Sequence, residues 1–74
     1  MFFILETQVS KDGTGAILPA NTREDRNEAE SKYYEILAVA AKSKVYKHGA
    51  IILDEEAFPI MYKAYTHDTE GEEQ

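Results

Sequence analysis

The chain contains no cysteine and no tryptophan, and it has only two prolines and four glycines among 74 residues. Without cysteine it can form no disulfide, no thiolate zinc site and no iron–sulfur cluster. A domain of this size buries only about 60% of the surface that its unfolded chain exposes, so its stability is marginal without a disulfide or a bound metal. Self-association is therefore the expected source of additional stability.

Basic residues are also scarce, with eight Lys or Arg against fourteen Asp or Glu and a formal net charge of −6. Nucleic acids and anionic lipids bind to concentrated positive surfaces, so this composition argues against both partners. The apolar runs at residues 2–5 and 50–53 are far shorter than the roughly 20 residues that span a bilayer. The first residues lack the basic leader and cleavage site of a secretory signal, so we expect a cytoplasmic protein.

Alternating apolar residues at positions 2–10 predict a first strand. One face of this strand carries Phe3, Leu5, Thr7 and Val9, and the other carries Ile4, Glu6, Gln8 and Ser10. Residues 11–15 include two glycines and are typical of a hairpin turn, after which residues 16–18 return as a short strand. Pro19 cannot donate a backbone hydrogen bond, so the short strand must be brief or lie at an edge.

Residues 24–42 have the 3.6-residue periodicity of an amphipathic helix. Asn21 or Thr22 is expected to cap its N-terminus, and Glu24 and Asp25 place negative charge in its first turn. The predicted core stripe consists of Ala29, Tyr33, Ile36, Leu37 and Ala40, and the polar side consists of Glu28, Lys32, Glu35 and Lys42. This helix is the most regular element in the sequence.

A second set of helical residues, Tyr34, Ala38 and Ala41, lies to the side of the core stripe. Small residues would let another backbone approach closely, and Tyr34 would add a large contact with a polar tip. Alanine is also a good helix former at exposed positions. The pattern therefore leaves two interpretations open, a contact face or ordinary helix surface.

The C-terminal half predicts a hairpin. Residues 45–53 are rich in β-branched and apolar side chains, which is typical of a central strand, and residues 54–57 form a polar connection. Residues 58–66 alternate again, with Phe58, Ile60, Tyr62 and Ala64 on one side and Met61, Lys63, Tyr65 and His67 on the other. Residues 68–74 are acidic and have no large apolar group, so we expect a disordered tail.

Together these elements predict a single α+β domain at residues 1–67, with two layers: a small antiparallel sheet of three or four strands and one helix on one face. The opposite face is then expected to expose Ile4, Met61, Tyr65 and Tyr46. We expect a homo-oligomer, with a dimer favoured, and another protein as partner. The predicted interface residues are Ile4, Tyr34, Ala38, Ala41, Met61 and Tyr65.

Motifs for catalysis and cofactor binding are missing from the sequence. The serines at positions 10, 31 and 43 lie outside any Gly-x-Ser-x-Gly elbow, and residues 13–15 lack the lysine of a phosphate-binding loop. His48 and His67 are not spaced as metal ligands with Asp54 or Asp68, and residues 54–56 lack the calcium-loop spacing. We therefore predict no catalytic residue, no cofactor and no metal, and a non-enzymatic protein.

One basic concentration supports an alternative function. Lys42, Lys44 and Lys47 flank Tyr46, and lysines next to an aromatic ring can bind nucleic acid through phosphate contacts and base stacking. The net charge of the chain weighs against this function. A nucleic-acid-binding module at these four residues is thus the second hypothesis, after protein–protein contact.

Residues 25–43 and 48–56, with the apolar start at residues 2–6, the turn at 12–14 and the Tyr-Thr-His ending at 65–67, carry a resemblance across nearly the whole chain. In these segments the chain resembles small uncharacterised proteins of gut-type Firmicutes and their prophages or mobile elements. The resemblance implies a bacterial or prophage context. It implies no activity and no catalytic residue.

Overall fold

A computed structural model describes residues 1–67 as one helix packed on one antiparallel sheet. In chain order the elements are β1 (Phe2–Val9), β2 (Gly15–Ile17), β3 (Asn21–Arg23), α1 (Arg26–Ala41), β4 (Lys47–Leu53) and β5 (Pro59–Thr66). This arrangement confirms the predicted two-layer α+β fold. The tail predicted at residues 68–74 lies outside the described residues.

The sheet has the strand order β2-β1-β4-β5, and β3 pairs with the other end of β1. Strand β4 is central, with β1 on one side and β5 on the other. The register aligns Ile4 with Ile52 and Ile52 with Met61, so these three side chains lie on the same face. The predicted hairpin of the C-terminal half is therefore confirmed.

The fifth strand, β3, is absent from the sequence prediction. Strand β2 pairs with residues 7–9 of β1 and β3 pairs with residues 2–4, so the two strands form a single edge that is interrupted at Pro19. Asn21 and Thr22 therefore belong to the sheet and do not cap the helix. The N-cap is Asp25, whose Oδ2 accepts a hydrogen bond from the Glu28 amide at 3.1 Å, so the helix begins at Arg26.

The core lies between α1 and one face of the sheet. The predicted helical stripe is confirmed, because Ala29, Tyr33, Ile36, Leu37 and Ala40 are all buried. Ile4 and Ile52 meet this stripe from the sheet and are fully buried. Burial also raises the pKa of the Tyr33 hydroxyl, with smaller contributions from Tyr34 and Tyr65.

The helix covers the face of the sheet that carries Ile4, which corrects the sequence prediction. Ile4 is 0% exposed, and Met61 and Tyr65 are partly buried against the same core, so none of the three lies on the uncovered side. Glu6 and Gln8 share this face with Ile4. Glu6 is partly buried there, and its carboxylate is paired with His48 from β4.

The turn between β1 and β2 is organised by the Asp12 carboxylate. Its Oδ1 accepts hydrogen bonds from the Ser10 hydroxyl at 2.7 Å and from the Thr14 amide at 2.9 Å. These bonds lower the pKa of Asp12 from 3.8 to about 2. A lowered pKa in the folded state means that the carboxylate stabilises the turn above pH 3.8 and that this contribution is lost as the pH falls through about 2.

We therefore expect an NMR titration of folded protein to give an Asp12 midpoint near 2, with the Thr14 amide resonance moving at the same pH. In Asp12→Asn the Thr14 resonance should lose this pH-dependent shift, because the amide side chain does not titrate. An Asp12 midpoint near 3.8 in the folded protein would contradict the assigned hydrogen bonds.

Candidate functional site: the open face of the sheet

The side of the sheet that α1 leaves uncovered, here called the open face, is apolar across all four neighbouring strands. Its central residues form two rows that run across the strands. The large row is Leu5, Ile51 and Tyr62, and the small row is Thr7, Gly49 and Ala64. Phe3, Leu53 and Pro59 flank the large row, Val9, Lys47 and Thr66 flank the small row, and Ile17 extends the small row onto β2. Within residues 1–67, no helix or strand packs against this face.

Charge is almost excluded from the open face. Lys47, at its border, is the one charged residue in the rows just given, and none of them carries a carboxylate. The charged side chains of α1 lie in the other layer, where Lys32 pairs with Glu35 at 2.8 Å. Two copies of this acidic protein could therefore bring their open faces together without placing carboxylates opposite each other.

The area of the open face can be compared with what a specific interface needs. The strands of the sheet have three to eight residues, and each strand residue covers about 16 Å², because residues are about 3.3 Å apart along a strand and strands are about 4.8 Å apart. Each copy would thus contribute about 450 Å², or about 900 Å² for two copies, which is just under the roughly 1,000 Å² of a specific interface. An interface of this size needs a well-packed centre to be stable.

The centre of the open face is uneven in shape. Tyr62 protrudes, with 74% of its surface exposed. Beside it lies a shallow cavity of about 290 Å³, lined by Thr7, Ile51, Tyr62, Ala64 and neighbouring parts of β4 and β5. Gly49 lies between Thr7 and Ala64 in the small row, where Ala64 packs closely against its backbone. A large ring thus adjoins a depression of small residues.

The six predicted interface residues fall on two separate parts of the molecule. Ile4, Met61 and Tyr65 lie on the helix-covered face, so their assignment to the uncovered side was wrong. Tyr34, Ala38 and Ala41 are exposed on α1, and the sheet separates them from the open face. The residues that sequence reasoning missed are Leu5, Ile51 and Tyr62. Alternation had already grouped Phe3 with Leu5, but it did not tell which group the helix covers.

His48 is the buried polar residue of the helix-covered face. Its Nε2 donates a hydrogen bond to Glu6 Oε2 at 2.5 Å, and the Gln8 amide nitrogen lies 3.5 Å from the same atom. The Nδ1 atom is buried and has no hydrogen-bond partner among the described residues. These contacts tie β1 to β4. The other imidazole, His67, donates from Nε2 to the Ala40 carbonyl at 2.8 Å and so links the end of β5 to α1.

The lysines of the nucleic-acid hypothesis surround the start of β4. Lys44 and Tyr46 line a groove of about 390 Å³ together with turn residues such as Ser10 and Thr14. Lys42 and Lys47 are exposed but do not line the groove. Tyr46 is partly buried, so only part of its side chain is available for stacking on a base.

Comparison of the chain with family models, with curated proteins and with solved structures gives no match. Across residues 1–67, no group of three or more His, Asp or Glu side chains is placed to hold a metal ion. The helix of the described region, α1, is too short and too polar to cross a bilayer.

Proposed function

We propose that this protein is a non-enzymatic accessory protein that acts through protein–protein contacts and forms a homodimer through the open face of its sheet. The observation that carries this proposal is an apolar surface, free of carboxylates, that extends over four strands and has no covering element within residues 1–67. Apolar patches of this size on small domains mark interaction sites. The resemblance of the sequence suggests a bacterial or prophage setting for this role.

A second copy of the chain is the partner that this surface fits best. Packing one sheet on another at about 10 Å would bury both apolar faces in the manner of a β-sandwich, with one helix on each outer side. Because the same patch is used twice, the assembly closes at two copies. Burying the open face would also add apolar core to a domain that has no disulfide.

Sedimentation velocity from about 1 to 200 µM tests this proposal, because an interface near the lower size limit is expected to give an affinity in the micromolar range. Wild-type protein should show a monomer–dimer equilibrium. Ile51→Glu, which places a charge at the centre of the open face, should remain folded by circular dichroism and weaken association at least about tenfold, because an unpaired charge at an interface costs well over 1.4 kcal/mol.

Ala38→Glu is the matched control, because it places the same charge on the exposed side of α1. This variant should associate like the wild type. A wild-type protein that stays monomeric at the highest concentration would contradict the proposal. Loss of association in Ala38→Glu, with Ile51→Glu unaffected, would assign the interface to the helix.

Nucleic-acid binding by Lys42, Lys44, Tyr46 and Lys47 remains the alternative function. It would give binding to single-stranded DNA or RNA that weakens steeply with salt, because phosphate contacts release counterions. Self-association through an apolar face would instead persist at high salt. The salt dependence therefore distinguishes the two functions.

A further inference from the structure

The two rows of the open face differ in size, and this difference restricts how two copies can pack. The large row has Leu5, Ile51 and Tyr62, and the small row next to it has Thr7, Gly49 and Ala64. The rows are two residues apart along each strand, or about 6.8 Å. Because each row occurs once in each copy, a twofold operation can place unlike rows or like rows opposite each other.

A twofold axis that runs across the strands, between the two rows, places the large row of one copy over the small row of its partner. An axis parallel to the strands would instead place large row on large row and leave the depressions empty. Empty space at an interface forfeits dispersion contacts, and crowded side chains force strain. Shape complementarity therefore favours the axis across the strands.

We propose that Tyr62 is the anchor of the dimer and that its ring occupies the depression beside Ala64 of the partner subunit, with the twofold axis between the two rows. This inference rests on the dimer proposed above and adds its geometry. Tyrosine suits this position, because it buries a large rigid ring at little cost in conformational entropy and keeps a polar tip. The exposed ring and the open cavity are adjacent on the monomer, as this symmetry requires.

Two single substitutions test the anchor and the depression separately. Tyr62→Ala removes the ring and should weaken the dimer about 30-fold, the effect typical of truncating a central aromatic residue. Ala64→Tyr fills the depression and should weaken the dimer by at least as much, because the new ring would meet Tyr62 of the partner. Both positions are exposed on the monomer, so both variants should fold.

The double variant Tyr62→Ala with Ala64→Tyr provides the decisive measurement. With the axis between the rows, positions 62 and 64 face each other across the interface. Exchanging the two residues therefore restores a tyrosine opposite an alanine, with the tyrosine now at position 64. The double variant should therefore regain most of the affinity that each single variant loses, as measured by sedimentation equilibrium. Circular dichroism and thermal unfolding of dilute samples confirm that all three variants are folded.

The results of these experiments test the Tyr62 anchor separately from the homodimer proposed above. A monomeric wild type would overturn the dimer itself. A dimeric wild type whose association is weakened by Ile51→Glu but not by Ala64→Tyr would keep the open-face dimer and overturn the anchor. A double variant as weak as Ala64→Tyr alone would overturn the position of the axis.

Discussion

Replacing Ile4 by alanine is expected to lower the free energy of unfolding by about 2–5 kcal/mol, because the substitution removes buried methyl and methylene groups and leaves a cavity. Ile4 is 0% exposed and faces Ile52 beneath the helix. A domain of this length has a total stability of only about 5 kcal/mol, so Ile4→Ala should lose roughly half of its stability or more. Urea unfolding followed by circular dichroism measures the change.

Ile17→Ala is the matched control, since it deletes the same atoms at a position that is 66% exposed. Its free energy of unfolding in dilute solution should change by less than about 0.5 kcal/mol. This pair also tests which face the helix covers. If Ile4 were on the uncovered side, Ile4→Ala would leave the unfolding of dilute protein unchanged and would weaken association alone.

The second large effect is expected from Gly49→Ala. A Cβ at this position would collide with the Lys63 carbonyl oxygen and would lie 2.7 Å from Cβ and 2.8 Å from Cα of Ala64. These atoms belong to the backbone of β5 or are fixed to it, so relief would require β4 and β5 to separate. We expect a loss of about 3 kcal/mol, the upper part of the range for overpacking, and a melting temperature lower by more than about 10 °C.

Gly15→Ala is the control for Gly49→Ala, because it adds the same methyl group to a strand glycine. A Cβ at Gly15 would lie 4.0 Å from the nearest atom, the Gln8 carbonyl oxygen, which is an ordinary contact. Its melting temperature should stay within a few degrees of the wild type. Equal melting temperatures for Gly49→Ala and wild type would show that β4 and β5 are not packed as closely as described.

Local patterns were sufficient to predict the helix and the C-terminal hairpin. The 3.6-residue spacing of Ala29, Tyr33 and Leu37 identifies the buried side of α1 without reference to any other element. The apolar run of β4, followed by a polar connection and a second alternating segment, likewise predicts a strand pair. These features depend on neighbours in the sequence, and for that reason they could be predicted.

Strand β3 and the helix cap could not be predicted in the same way. Asn21, Thr22 and Arg23 show no apolar alternation, and they are extended because they pair with Phe2–Ile4 of β1, far away in the sequence. Once these residues join the sheet, Asp25 is the next residue able to cap the helix. Pairing with residues far away in the sequence thus places Asn21 and Thr22 in a strand, although both residue types favour the N-cap of a helix.

The choice between the two faces of the sheet was the step that determined the predicted site. Alternation sorted the side chains of β1 correctly into two groups, but both groups contain large apolar residues. The sequence analysis placed Ile4 on the uncovered side, and the burial of Ile4 beneath α1 reverses this assignment. Glu6, in the same group, pairs with His48, and a contact between residues 42 positions apart is invisible to a local pattern.

The interrupted edge at Pro19 has a consequence for growth beyond two copies. A fibre in which sheets pair edge to edge needs two edges per subunit that can form hydrogen bonds, one for the copy before it and one for the copy after it. Strands β2 and β3 have three residues each and are separated by a segment that contains Pro19, which has no amide hydrogen. In the described region, β5 alone therefore offers a long continuous edge. Edge-to-edge pairing of folded molecules through β5 would therefore end at two molecules.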